Sequence, residues 1–277
     1  MVENRLRRFI GISAIVIACI VLLYPILMMV NISFKSSAEM IVSPLALTTK
    51  LHFENYVTAI REMNYWRTLM NSLIITGASA SIGTFLYTLS AYAIVRAKVF
   101  QKFFSGIFIF FWLGLALPAQ IAIVPLVMWM QKLHLGGSMV GIIFVFIATN
   151  AAYGVFFFSG FIATVPISLE EAANIDGATP FQTFRHIVFP LLKTPMVTLT
   201  IIMVLRVYNN FIFPLVLLQG PESRTLPLTI YFFKGDRAIE WNVMFAATTL
   251  VVIPLMIIYF VFQRKIQDGM MSGSVKM

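Results

Sequence analysis

Long apolar stretches separated by short polar segments set the pattern of this chain. Six stretches stand out: Phe9–Val30, Leu69–Val95, Phe103–Met130, Met139–Ala163, Met196–Leu218 and Asn242–Gln263. About 20 mostly apolar residues suffice for a helix to cross the hydrocarbon core of a bilayer. Backbone inside lipid must satisfy its own hydrogen bonds. Barrel strands would be shorter and alternating, so each stretch is predicted as a transmembrane α-helix. The fold class read from the pattern is an all-α integral membrane protein with six transmembrane helices.

Composition agrees. Of the 277 residues 60% are hydrophobic and 11% charged, against about 25% charged in an ordinary soluble domain. A single soluble core of this size could not hide so much apolar surface. The first stretch follows Arg5, Arg7 and Arg8 and resembles a signal peptide. It is 22 residues long, however, and no small-x-small cleavage site follows it. It reads as a retained first helix.

The net charge of +9 would suggest nucleic acid in a soluble protein. Here the basic residues flank apolar stretches, so cationic loops held in the cytoplasm are the simpler reading, with no nucleic acid as partner. With an inside N-terminus, eleven Lys and Arg fall on inner segments: Arg5, Arg7, Arg8, Arg96, Lys98, Lys102, Arg185, Lys193, Arg264, Lys265 and Lys276. Eight fall on outer segments: Lys35, Lys50, Arg61, Arg67, Lys132, Arg224, Lys234 and Arg237. Both termini are then expected in the cytoplasm of a multi-pass cell-membrane protein. The single cysteine, Cys19, allows no intrachain disulfide, and no Cys/His cluster suggests a metal. No cofactor is expected.

The inner segment 164–195 carries the densest local signals. Ser168 with Glu171 three residues on reads as a capping box, which opens a short helix. That helix is expected to end near Asp176, with Gly177 as a left-handed cap, and to expose Glu170, Glu171 and Asp176. Thr179-Pro180-Phe181-Gln182 opens a second short helix, expected to stop before Pro190. Thr194-Pro195 is expected to open the next span in the same way. Two capped helices of about two turns each, roughly 12 Å long, form a rigid element able to transmit force. The outer segments 31–68 and 219–241 are long enough to hold interfacial helices or to receive a partner.

Glu171-Ala172-Ala173, then Asp176-Gly177-Ala178, then Ile187-x-Phe189-Pro190 resembles the EAA signature of permease subunits in binding-protein-dependent ABC transporters. The signature usually has Leu where Phe189 stands. Asn71-Ser72-Leu73 opening the second helix, Ala91-Tyr92-Ala93 closing it, Tyr208-Asn209-Asn210-Phe211 with Pro214-Leu215, and the tail 269–276 resemble the carbohydrate-importer branch, on the side of its MalG-type partner.

The resemblance implies a type I ABC importer permease fold with a cytoplasmic coupling helix. It divides the chain into a first helix with an external segment (1–68), a five-helix transmembrane domain (69–263) and a cytoplasmic tail (264–277). It implies a non-enzymatic subunit, with ATP hydrolysed elsewhere. The implied partners are a second homologous permease, two cytoplasmic ATPase subunits, an external solute-binding protein and a carbohydrate substrate. Glu170, Glu171, Ala172, Ala173, Asp176 and Gly177 would then lie in or beside the ATPase groove.

Arg206 is the only charge inside an apolar stretch, where it should face the bundle interior, water or a partner. Together with Asn209, Asn210 and Gln120 it is a candidate for the translocation path; Asn150 is weaker. Pro118, Pro125, Pro214 and Pro254 read as helix kinks, and Gly77 to Gly83 as a close-packing surface. Other classes fit less well. A secondary, ion-coupled transporter usually needs intramembrane carboxylates, and all eleven Asp and Glu lie outside the six stretches. No phosphate-binding G-x-x-x-x-G-K-[S/T] loop is present, so the chain is not an ATPase of that kind. A permease for a non-sugar solute is the remaining alternative.

Overall fold

A computed structural model of the chain describes residues 2–97, 99–233 and 240–274, and among these every regular element is helical. The elements are α1 (Val2–Ser33), α2 (Ser37–Val42), α3 (Glu54–Glu62), α4 (Tyr65–Val95), α5 (Gln101–Ala116), α6 (Ile123–Lys132), α7 (Met139–Thr164) and α8 (Ile167–Ile175). They continue with α9 (Pro180–Thr183), α10 (Phe189–Leu191), α11 (Lys193–Tyr208), α12 (Ile212–Leu217), α13 (Leu226–Phe232) and α14 (Trp241–Ser274). Four helices, α1, α4, α7 and α14, contain stretches long and apolar enough to span a membrane. The count rises to six if each of two bent helix pairs is one span. Lys98, Lys234, Arg237 and Lys276, part of the expected charge asymmetry, lie outside the described residues. So do the side chains of Arg5, Arg7 and the tail from residue 266.

The third and fifth stretches are not single straight helices. Pro118 disfavours helical backbone at the residue before it, and Leu117 is extended (φ −92°, ψ 124°). The stretch therefore turns by 100° between α5 and the 3-10 turn Ala119–Ala122 that leads into α6. Pro125 and Pro214 break nothing, because each sits in the first turn of its helix, where a missing N–H costs little. The fifth stretch stops at Tyr208. Asn209 caps α11, and the chain resumes as α12 only after Phe211. The second helix opens at Tyr65, four residues before the apolar stretch, so Asn71 and Ser72 lie inside it. The sixth runs on as helix to Ser274.

The chain packs as two compact units, Met1–Trp66 with Thr229–Pro254, and Arg67–Leu228 with Leu255–Met277. In the first, α1 is exposed along most of its apolar length, as befits a helix solvated by lipid. Its C-terminal end is tied by polar contacts. Asn55 donates to the carbonyls of Ser33 (2.9 Å) and Lys35 (2.8 Å) and accepts from Asn242 Nδ2 (2.9 Å) at the start of α14. Lys35 is buried and its ammonium donates to the carbonyls of Ser43 and Pro44, which folds the segment after α2 back onto it.

The second unit holds two apolar cores. One joins Ile75 of α4, Met130 of α6, Ile142 and Phe146 of α7, and Phe213 and Leu217 of α12. The other joins Tyr87 and Ala91 of α4, Phe158 and Ile162 of α7, Phe184, Val188 and Leu192 of the 164–195 segment, and Leu199 of α11. Helices α4 and α7 meet tightly at Gly154. A Cβ there would collide with the Tyr87 ring, whose hydroxyl donates to the Ile147 carbonyl at 2.6 Å. Gly77, expected to mediate close packing, has open space where a Cβ would stand. The two positions therefore predict opposite outcomes. Gly154→Ala should lower stability by about 1–3 kcal/mol through overpacking. Gly77→Ala should be neutral or stabilising, because Ala is the better helix former. Thermal unfolding of the purified variants in detergent checks both signs.

Candidate functional site

The segment between α7 and α11 folds as a rigid elbow. Pro166, extended at φ −60° and ψ 126°, is the residue from which α8 starts. Ser168 is therefore the second residue of the helix and not its cap, and the expected capping box with Glu171 does not form. The helix thus starts two residues earlier than expected, and Glu170 faces inward. It is 7% exposed rather than solvated as the sequence suggested, while Glu171, Ala172, Asp176 and Gly177 remain exposed and Ala173 is half-buried.

The end of α8 matches its signals. Gly177 takes φ +81°, the Gly177 N–H donates to the Asn174 carbonyl (3.1 Å) and the Ala178 N–H to the Ala173 carbonyl (2.9 Å). That pair is a Schellman cap. Thr179 and Gln182 then form a reciprocal capping box that opens α9, with Pro180 in the first turn. Contrary to expectation, the helix does not stop before Pro190. It widens into a π turn over Phe184–Val188, in which the Phe189 N–H reaches back to the Phe184 carbonyl, and α10 carries Pro190 within it. The wider turn accommodates a residue that lacks an N–H. The chain bends by 74° at Leu192, which is buried, and α11 begins at Lys193. Thr194 lies inside the first turn and caps nothing.

One side chain anchors this elbow to the bundle. Arg96, just past α4, donates through Nε to Glu170 Oε1 at 2.7 Å. Its Nη2 donates to the Ile162 carbonyl (3.0 Å) and the Val165 carbonyl (2.7 Å) at the end of α7. Tyr92 of α4 donates its hydroxyl to Glu170 Oε2 at 3.0 Å. A guanidinium of fixed fork geometry thus holds three chain segments together: the ends of α4 and α7 and the first turns of α8. Both carboxylate oxygens of Glu170 are satisfied, the condition for a buried ion pair to be tolerated. Behind it, Phe184 packs on Tyr92 with ring centres 5.0 Å apart. The outward face carries Ile175 (86% exposed), Phe181 (61%) and Ile167 (51%).

The candidates within the apolar stretches, Asn150 excepted, lie at or near breaks in the helices. Arg206 is in the last turn of α11, exposed, with its guanidinium 4.6 Å from the centre of the Tyr153 ring on α7. Asn209 is exposed and donates to the Leu205 carbonyl (3.0 Å). Asn210 accepts from the Phe213 N–H at 3.0 Å, so its oxygen caps α12. Asn150 donates to the Phe146 carbonyl of its own helix (2.9 Å). Gln120 is exposed on the 3-10 turn between α5 and α6, apart in sequence from the Arg206–Asn210 group.

Sequence reasoning counted Arg96 only as loop charge. The usable signal was its position one residue past a helix end. Asn71 and Ser72 were likewise read only as a helix start. They pin the segment before α13: Asn71 donates to the carbonyls of Glu222 (2.8 Å) and Arg224 (3.0 Å), and Ser72 Oγ accepts from the Leu226 N–H (2.7 Å). Truncating Arg96 alone should be costly, because it leaves a buried carboxylate unpaired. Arg96→Met is expected to lower stability by about 3–5 kcal/mol and to open the elbow to proteolysis near Gly177. Arg96→Met with Glu170→Leu should recover much of that loss. Limited proteolysis and thermal unfolding of the single and double variants measure the difference.

Residues 88–272 match the family described as binding-protein-dependent transport system inner membrane component. The chain is 31% identical over 275 residues to the probable starch degradation products transport system permease protein AmyC of Thermoanaerobacterium thermosulfurigenes, covering 99% of this chain and 98% of that one. It is 31% identical over 279 residues to the multiple sugar-binding transport system permease protein MsmG of Streptococcus mutans, covering 99% of each. Its fold superposes with a TM-score of 0.77 on a chain of a bacterial ABC transporter involved in the import of the acidic polysaccharide alginate. That match has 23% identity and covers 95% of this chain and 97% of the other. A helical bundle with an EAA elbow, matched from Thr88 onward by the family pattern, identifies the chain as a member of the binding-protein-dependent transport system inner membrane component family, the permeases of ABC transporters.

Proposed function

We propose that this chain is the permease subunit of an ATP-driven importer that moves a sugar or oligosaccharide across the cytoplasmic membrane. The observation that carries the coupling part is the elbow: a short helix, fixed to the bundle by a buried ion pair, that presents Ile167, Ile175 and Phe181 outward. Exposed apolar side chains rimmed by polar residues mark a protein contact. The occupant proposed is an ATPase subunit, seated over Glu171, Ala172, Ala173, Asp176 and Gly177. In this reading Glu170 makes no contact with the ATPase; it anchors the elbow from behind. The sugar part is supported by the named activities of the relatives.

The full assembly proposed is this chain with a second homologous permease, two ATPase subunits and an external binding protein. Both termini and the elbow are cytoplasmic in this reading. Residues 1–68 form a first helix with an external segment, 69–263 the transmembrane domain and 264–277 a cytoplasmic tail. Arg206, the Tyr153 ring beneath it, Asn209, Asn210 and Gln120 are proposed to line the path. They stand where α5 gives way to α6 and α11 to α12, and backbone breaks at membrane depth are tolerated where they line a polar cavity. A flat ring and a cation offer a sugar a stacking face and hydrogen-bond donors; Asn210 can contribute only its Nδ2, its oxygen being used by α12.

Two experiments test this reading. Proteoliposomes holding the transporter should accumulate sugar only with ATP and binding protein. Gly177→Val, which forces a β-branched residue to φ +81°, should leave assembly intact and lower uptake about five- to thirtyfold, from about 1–2 kcal/mol of backbone strain at the docking turn. Assembly with unaltered uptake would contradict the coupling role. For sidedness, Asn174→Cys in a Cys19→Ser background should react with a membrane-impermeant maleimide in inside-out vesicles only. Labelling in right-side-out vesicles would reverse the topology.

A further inference from the structure

Helices α11 and α14 enclose a groove that the coupling and transport roles leave unused. Its volume is about 670 Å³. Phe189, Met196 and Val204 line it on one side and Ile258 and Phe262 on the other, while Lys193 and Lys265 are its two charged residues. The lysines stand at the same end. Lys193 is the first residue of α11, and the register with α14 is set by the Thr198 hydroxyl, which donates to the Lys265 carbonyl at 3.5 Å. From Lys193 the wall runs eleven residues to Val204, roughly 16 Å along a helix, and it is mostly apolar. Both ammonium groups belong to exposed residues, and neither pairs with a carboxylate among the described residues. The site is thus amphiphilic: two cations at one end and an apolar trough leading away from them.

We propose that this groove holds one anionic glycerophospholipid, its phosphate between Lys193 and Lys265 and an acyl chain along Val204 and Ile258. The inference rests on the proposed orientation in one respect: it puts the lysine end at the cytoplasmic surface, where anionic lipids are concentrated and where basic pockets between membrane helices select their headgroups. A zwitterionic lipid would fill the trough equally well, but its quaternary ammonium would repel the two lysines and offset the attraction of its phosphate. A free phosphate would satisfy the cations and leave the trough empty. The lipid would brace the base of the elbow, since Phe189 and Lys193 flank the bend at Leu192.

The test is native mass spectrometry of the assembled transporter released from detergent, titrated with phosphatidylglycerol or with phosphatidylcholine of identical acyl chains. The expected result is one phosphatidylglycerol retained roughly tenfold more tightly than phosphatidylcholine. Lys193→Gln with Lys265→Gln should abolish that preference. Excess glycerol 3-phosphate should not displace the lipid. Val204→Trp, which fills the trough and leaves the lysines in place, should lower retention of both lipids; it keeps the test decisive if the double lysine variant does not assemble. Equal retention of the two lipids, a preference that survives the lysine changes, or displacement by glycerol 3-phosphate would overturn the proposal. So would cross-linking of Val204→Cys to the second permease, which would make the groove a protein interface. Failure of the importer reading would instead show as missing ATP-driven uptake with lipid retention intact.

Discussion

A single guanidinium fixes the geometry on which the rest of this structure depends. Arg96 spends its donors on the Glu170 carboxylate and on two carbonyls at the end of α7, groups on segments that would otherwise be free to splay apart. The last carbonyls of a helix have no intrahelical partner, so a buried helix end needs donors from elsewhere. Arg96 supplies them and, through Glu170, locks the following helix to the same point. Leu192, Val188 and Phe184 enter the core shared by α4, α7 and α11. The elbow is therefore part of the bundle and not a flap attached to it. Ile175 and Phe181 thus sit on an element that packs against α4, α7 and α11 together.

The same construction explains why the elbow can present apolar residues outward. Its own folding does not depend on them: α8 is closed by the Gly177 cap and α9 opened by the Thr179–Gln182 box. The second independent feature is the pair of broken spans. Leu117-Pro118 and Asn209–Phe211 interrupt α5–α6 and α11–α12, and the polar candidates Gln120, Arg206, Asn209 and Asn210 cluster at those interruptions. The proposed coupling and path residues thus occupy two separate features of the chain, a braced elbow and a pair of broken spans.

Much of this was legible in the residues. Six apolar stretches map onto the helices because length and lack of charge leave few alternatives in lipid. Gly177 and Thr179-Pro180 marked their caps because a left-handed glycine and a proline in the first turn each fit few other places. What was illegible depended on tertiary context. Ser168 read locally as the start of α8, but the helix starts after Pro166, and Glu170 is buried against Arg96, a partner 74 residues away. Pro190 reads locally as a stop; a π turn absorbs it because Val188 and Leu192 gain burial if the helix continues. Gly77 and Gly154 are equivalent in sequence, and only the Tyr87 ring separates them.

The central claim is that the elbow and the C-terminal ends of α4 and α7 move as one body. Spin labels on Asn174→Cys in α8 and Leu86→Cys in α4, both exposed, in a Cys19→Ser background, report the distance between them. Pulsed electron resonance on the reconstituted transporter, with and without trapped nucleotide, reads it directly. The account predicts one unchanged distance distribution in both states. A shift of about 5 Å or more, a full helical turn, would show the elbow sliding on the bundle and would contradict it.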